Sequence, residues 1–379
     1  MANVLTDLAG DIYRAADIVG RELTGASSSV LRNASSERAA IGDPIRSFFT
    51  QQATAITPAP SMTIPEGTDQ TVDNKTLTIT NDRAVQIPWT GEDIRHVNNG
   101  SGFESIYGDQ IRQAMRTIAN EIEADVLTEG YKNASRAVGT AGTTPFGSDF
   151  DVVAEARQIL VDNGTPTDNQ ITMALNTLAG TKLRNLAQLQ KVNESGGGEL
   201  LRQGALLDLQ GIMLKESAGV QNHTKGTGTG YDTNGALAVG ATVITADTGT
   251  GTIVAGDTVT FAGDTVNDYV VVKAFAGGSF EIASPGLRVA IADGADIVVG
   301  NSYTGNIVFH RNAIELVMRA PAMPGGGDVA DDQMLVQDPN SGLVFAVSSY
   351  KGYRKAMFEV AAVWGQKAWK PDFIAAIKG

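Results

Sequence analysis

The stretch Ser61–His96, SMTIPEGTDQTVDNKTLTITNDRAVQIPWTGEDIRH, alternates like a strand yet carries almost no apolar surface from which to build a core of its own. It therefore needs a packing partner elsewhere. Thr76, Thr78 and Thr80 interleave with Leu77 and Ile79, and Val85, Ile87 and Trp89 repeat at period two, the pattern of half-buried antiparallel strands. Upstream, Ile45 to Ile64 is also extended in character, broken by Pro58, Pro60 and Pro65, which edges and turns tolerate but a central ladder does not. Two arms of about 20 residues each, at about 3.3 Å per residue, could reach roughly 60 Å, longer than a compact domain needs. A polar hairpin of that kind is either an arm for another subunit or a mobile flap.

The rest of the chain supplies the cores. Phe103 to Ala134 carries the strongest helical signal, with Phe103, Tyr107, Ile111, Met115, Ile118, Ile122, Val126 and Tyr131 on one side, which predicts a helix about 45 Å long. Glu121, Glu123, Asp125 and Glu129 on its other faces read as a solvated or intersubunit surface, since no Glu-x-x-His accompanies them. Asn3 to Leu23 reads as an amphipathic helix with Val4, Leu8, Ile12, Ala15 and Val19 on one stripe, ended by Gly25 and the serines that follow. From Asp149 to Leu214 the elements shorten and alternate: helices at Asp149–Asn163 and Thr177–Leu189, strands at Gln170–Leu175 and Leu206–Leu214. Gly226 to Gly305 has strand signals every eight to twelve residues between Gly and Asp turns and reads as a small, separable all-β insertion. Its eight acids face Lys273 and Arg288 alone, a balance of −6 that places acidic loops outward. Ile307–Met318 and Leu343–Trp364 supply further strands, and the fold class is α+β.

Chemistry is harder to find. With no cysteine, disulfides, thiolate metal sites and cysteine nucleophiles are excluded together. His96, His223 and His310 lack zinc-site spacing, and no G-x-S-x-G elbow or GxxxxGK[ST] loop occurs. The glycines of Gly226–Gly230 and Gly249–Gly251 read as a junction and a turn, and Asp328, Asp331 and Asp332 as a solvated loop rather than a calcium site. No catalytic residue, cofactor or metal is expected. A net charge of −13 opposes nucleic-acid binding, so if the protein encloses DNA it does so as a wall that repels the polymer rather than binding it. The absence of eighteen successive apolar residues and of a basic, apolar leader leads to the expectation of no membrane span and cytoplasmic synthesis.

The words TIPEGTDQTVDNKTLTI and VQIPWTGEDIRHVNNG, together with MANVLTDLAGDIYRAADIVGREL, FESIYGDQIRQAMRTIANEIEAD, YKNASRAVGTAGTTPF, LLDLQGIMLKESAGV and KAWKPDFIAAIKG, resemble the major capsid (coat) proteins of tailed bacteriophages, in the short-tailed enterobacterial branch that carries an inserted β-domain. The resemblance implies the tailed-phage major capsid fold: an N-terminal arm over residues 1–36, an extended hairpin over 37–98, a spine helix of the peripheral domain over 99–140, an axial domain over 141–225, the inserted barrel-like domain over 226–305, and the remaining strands over 306–379. It implies intersubunit contacts through Thr76, Leu77, Thr78, Ile79 and Trp89 of the hairpin and through Leu8, Ile12 and Val19 of the arm. It also implies a homo-oligomeric shell of pentamers and hexamers, a scaffolding protein, a portal protein and enclosed double-stranded DNA, with assembly in a host bacterial cytoplasm and a final place in the virion capsid. Some related shells weld a lysine to an asparagine. Lys75 beside Asn74 reads instead as an ordinary exposed turn lysine. An encapsulin-like nanocompartment shell shares the implied fold, and an enzyme using the hairpin as a lid is the remaining alternative.

Overall fold

The helix Phe103–Lys132 is thirty residues long, and both sheets of the protein pack along it. A computed structural model describes residues 25–50, 55, 57–64, 72–98, 103–190, 208–325, 327–337 and 343–379. Within them, Ile111, Met115, Ile118, Ile122, Val126 and Tyr131 of the expected stripe are buried in the main core against Ile307, Phe309, Ile314, Leu316 and Trp364. Gly130 marks the closest approach, because a Cβ there would stand 2.6 Å from the Ile307 side chain. The amphipathic segment with Leu8, Ile12 and Val19 lies outside the described residues.

One sheet has six strands built around Lys355–Ala368, a fourteen-residue strand. Asn81–Thr90 pairs along one side of it, while Ile314–Pro321 and Val344–Gly352 share the other. Leu31–Ala39 adds in parallel to Ile314–Pro321, and Ala330–Gln337 closes the edge beyond Val344–Gly352. Two features differ from the sequence reading. Asn81–Thr90 belongs to this sheet rather than to a free hairpin, with Ile87 and Trp89 in the main core. The acidic run through Asp331 and Asp332 is an edge strand rather than a loop, held because Val336 is buried opposite Phe345.

The second sheet has twelve strands and two parts. Thr258–Phe261, Asp296–Val299, Tyr231–Thr233, Val243–Asp247, Ser279–Ile282 and Asp264–Ala276 pair in that order, and the last returns to the first, closing a barrel without free lateral edges. Its interior is filled by Tyr231, Ile244, Val259, Phe261, Tyr269, Phe280, Ile282 and Ile297. From Asp264–Ala276 the sheet continues through Arg136–Val138, Ile374–Lys378, Tyr303–His310, Ile171–Leu175 and Met213–Glu216. Helices Asp151–Asp162 and Thr177–Arg184 cover that part with a third core around Val153, Leu160, Met173 and Leu183.

The barrel is thus joined to the body through a strand. Tyr269, Val270 and Val271 are all buried because Tyr269 and Val271 face the barrel interior while Val270 faces the main core. Side chains reinforce the seam: Arg136 donates to Asn267 at 2.7 Å, Arg288 to Asn163 at 2.5 Å, and Lys378 pairs with Asp268. Two of the eight acids expected outside are inside. Asp264 accepts a 2.6 Å bond from the Tyr269 hydroxyl. Asp257 contacts His223 at 2.8 Å and accepts the backbone N–H groups of Gly226 and Val254. The glycine-rich entry segment therefore bonds its N–H groups internally, and Gly226 sits where a Cβ would stand 2.1 Å from the Thr252 carbonyl oxygen.

Replacing Asp257 by Ala leaves at least two buried N–H groups without an acceptor. We expect a loss of about 3 kcal/mol, read by denaturant unfolding. Because the seam strand is shared, barrel and body signals should move together in one transition; a barrel that melts alone would contradict this.

Candidate assembly surfaces

The carboxylates of the long helix, expected on a solvated face, are mostly fasteners. Residues spaced four apart lie on one stripe of a helix. Here Glu121, Asp125 and Glu129 run along the Asn81–Thr90 and Lys355–Ala368 strands. Glu121 pairs with Arg83 at 3.1 Å, with both side chains largely exposed. Asp125 accepts bonds from the Asn81 amide and the Trp364 indole, at 2.7 and 2.9 Å, and Glu129 accepts the Ala368 N–H at 3.0 Å. Glu123 faces the opposite way. It is buried and accepts the Ala26 and Ser27 N–H groups at 2.7 and 2.8 Å, fixing the turn from which residues 1–24 depart. Lys215 completes this root by donating to Ser28 and Ser29. Burial pushes the Lys215 amine below the usual lysine range, and the Glu123 charge opposes that shift.

The hairpin proper is Pro44–Thr50 paired with Val72–Thr78 as a separate two-stranded sheet. Its base is anchored in its own chain. Leu77 packs with Val317 and Trp369, Ile79 with Ala39 and Val363, and Ile45 touches both groups. Buried Glu315 gathers three donors there: Ser47 at 2.5 Å, the Trp369 indole at 2.7 Å and Asn33 at 3.2 Å. The five hairpin residues expected at an intersubunit surface therefore divide. Leu77, Ile79 and Trp89 are buried within the chain, whereas Thr76 and Thr78 are exposed beside Lys75, whose ammonium lies 6.0 Å from the Trp369 ring. Farther out, the Pro-rich segment 57–64 is exposed throughout, with Met62 and Ile64 uncovered.

At the opposite side of the six-stranded sheet, Val344–Gly352 turns into Lys355–Ala368 through Tyr353 and Arg354. Helix Gly91–Asn98 begins beside that turn, with the Gly91 N–H bonded to the Arg354 carbonyl at 3.0 Å. Thr90 and Asp93 form a reciprocal cap at its start, each backbone N–H bonded to the other's side chain at 3.2 Å. The T-x-x-D spacing was a legible signal for this helix. Tyr350 donates to Asp328 at 2.6 Å; burial and this bond push the phenol up to about 12, while the bond helps hold Asp328 below the usual carboxylate range.

His223 and His310 each meet one carboxylate, Asp257 and Asp168, and His96 lies in helix Gly91–Asn98. Among the described residues, no group of three or more His, Asp or Glu is arranged to hold a metal ion, and no helix is long and apolar enough to cross a membrane.

No protein-family model matches the chain, and no curated protein matches it in sequence. Solved structures do match in shape. The mature capsid of bacteriophage PhiM1 aligns with 92% of this chain and 85% of its own at 10% identity, with a TM-score of 0.50. A virus-like particle from Pyrococcus furiosus aligns over 98% and 100% at 9% identity and TM-score 0.47, and the capsid of Cyanophage P-SCSP1u over 92% and 86% at 12% and 0.47. The chain has the α+β fold of phage capsid proteins.

Two consequences can be measured. Glu123→Gln removes one of two acceptors at the root, so exchange of the Ala26 and Ser27 amides should quicken about thirtyfold, equivalent to about 2 kcal/mol. Leu77→Ala should destabilise the isolated chain by about 3 kcal/mol, while Thr76→Ala should leave its unfolding midpoint unchanged. Equal midpoints for the two variants would show that the hairpin base is not anchored in its own chain.

Proposed function

We propose that this protein is a shell subunit whose copies assemble into the icosahedral head of a tailed double-stranded DNA bacteriophage. The observation that carries the reading is a capsid fold that leaves a long polar hairpin projecting from a base buried in its own chain. Such a hairpin adds no core to its own subunit beyond that base. Its exposed face, with Thr76, Thr78, Met62 and Ile64, is available to a neighbour. The work of the subunit is geometric: the long helix is the strut, the two large sheets are plates fastened to it, and the hairpin is offered to adjacent copies.

The resemblance of its sequence words favours the short-tailed enterobacterial coat branch, with the closed barrel as the inserted domain. On this reading the partners are further copies in pentamers and hexamers, a scaffolding protein and a portal protein. The shell encloses DNA without reading its sequence, consistent with the net charge of −13. Assembly takes place in the host cytoplasm, and the product is the virion capsid.

Expression of the chain with its scaffolding partner, followed by sedimentation and electron microscopy, tests the proposal. Closed hollow particles that mature around nuclease-protected double-stranded DNA are expected. Particles that instead retain a protein cargo and never take up DNA would make it a nanocompartment shell, and a chain that stays monomeric under all assembly conditions would remove the shell reading.

A further inference from the structure

The chain is acidic overall, yet Tyr350–Lys355 reads YKGYRK, three cations and two aromatics in six residues. The structure puts this cluster at the tip of the hairpin that joins Val344–Gly352 to Lys355–Ala368, with Thr90 paired to Lys355 on its other side. Pairing to the edge strand stops at Tyr350, opposite Ala330, so the backbone from Lys351 to Arg354 extends past its neighbour on that side. Tyr353 and Arg354 occupy the two central turn positions, with Gly352 paired to Lys355. Tyr353 is 88% exposed, and the Arg354 guanidinium lies 5.4 Å from its ring centroid. Arg354 holds a φ of 57°, the left-handed region that a turn usually assigns to glycine. The aromatic and the cation are therefore presented together on a tied turn whose carbonyl is bonded to Gly91.

Exposed tyrosine and arginine side by side are the composition of an interface anchor. The charges around the tip indicate its partner. Lys351 is paired with Asp331, Asp328 is engaged by Tyr350, and Asp93 is spent on the helix cap. Arg354 and Lys355 on the turn, and Glu92 on the first turn of the adjoining helix, are exposed on the same end of the molecule. One end thus carries a basic projection and an acidic helix start next to each other. Neighbouring patches of opposite sign on one end are self-complementary: the projection of one copy meets the helix start of a second while the reverse contact forms beside it, a two-fold arrangement.

We propose that the Tyr353–Arg354 turn is a docking knob for a second copy of this chain, seated against that copy's acidic helix start at Glu92. The inference rests on the shell reading and adds to it a specific contact, separate from the hairpin Thr76–Thr78 surface. Arg354 meets the carboxylate of Glu92 across the boundary, Lys355 flanks it, and the Tyr353 ring covers the pair from water.

The absence of native cysteine allows a direct test. Lys355→Cys and Glu92→Cys are made in separate chains, mixed under assembly conditions and oxidised with copper phenanthroline. A covalent heterodimer in the mixture, well above the homodimers that either variant forms alone, is expected. In parallel, Arg354→Glu and Glu92→Arg should each lower particle yield about tenfold, and the double reversal should restore it. Wild-type particles without the heterodimer, or a Lys355→Cys homodimer that dominates, would overturn the docking contact and leave the shell reading standing. Neither particles nor heterodimer from any chain would overturn both. A reversal pair that folds with the wild-type melting curve yet fails to recover would likewise overturn the contact.

Discussion

The architecture depends on carboxylates that accept hydrogen bonds at long range from one helix. Hydrophobic burial along Ile111 to Tyr131 would hold the sheets near the helix but would not set their position along it. Directional acceptors do. Asp125 and Glu129 bind the long central strand at Trp364 and Ala368, while Glu123 binds the departing chain at Ala26 and Ser27. Glu315 repeats the device at the base of the hairpin. Each acid takes up donors that would otherwise be buried without partners, so an error in placement costs a desolvated N–H group as well as a contact.

On the shell reading proposed above, a subunit that presents surfaces to several neighbours benefits from this arrangement. The hairpin, the turn at Ala26–Ser27 and the Tyr353–Arg354 turn lie at different places on the body, yet each is tied by a hydrogen bond to Glu315, Glu123 or the Gly91 backbone. Their relative directions are then a property of the folded chain before any neighbour arrives. Pre-set geometry lowers the ordering entropy that association would otherwise cost.

Much of the fold was readable from periodicity. The apolar stripe of the long helix, the strand at Ile171–Leu175 and the change to all-β spacing after residue 226 are local patterns, and the structure contains each. The misreadings share one cause, a partner far away in sequence. Glu123 looks solvated because the N–H groups it accepts are about a hundred residues upstream, and Asp257 looks like an outward loop acid because His223 is hidden in a different segment. Leu77 and Ile79 look unpartnered because Val317 and Val363 complete their clusters. Helix Gly91–Asn98 is the exception: its Thr90–Asp93 cap was local, and the period-two signal leading into it obscured it. The Tyr353–Arg354 cluster was equally local, but nothing in sequence spacing reveals that this turn runs past the edge strand Ala330–Gln337.

The strand Ile374–Lys378 lies in the middle of the second sheet, between Arg136–Val138 and Tyr303–His310, and every residue in it is buried. Those two neighbours precede it by long stretches of chain and have no direct ladder to each other, so during synthesis they must wait as open edges until the strand emerges. Docking of the barrel depends on the same strand, since Lys378 holds Asp268 and Arg136–Val138 is the link between them. Closure of this sheet therefore comes in one step, when Ile374–Lys378 docks between its two neighbours. Until then the facing edges of Arg136–Val138 and Tyr303–His310 lack their ladder, and unpaired strand edges are where a partly folded chain is most open to mispairing.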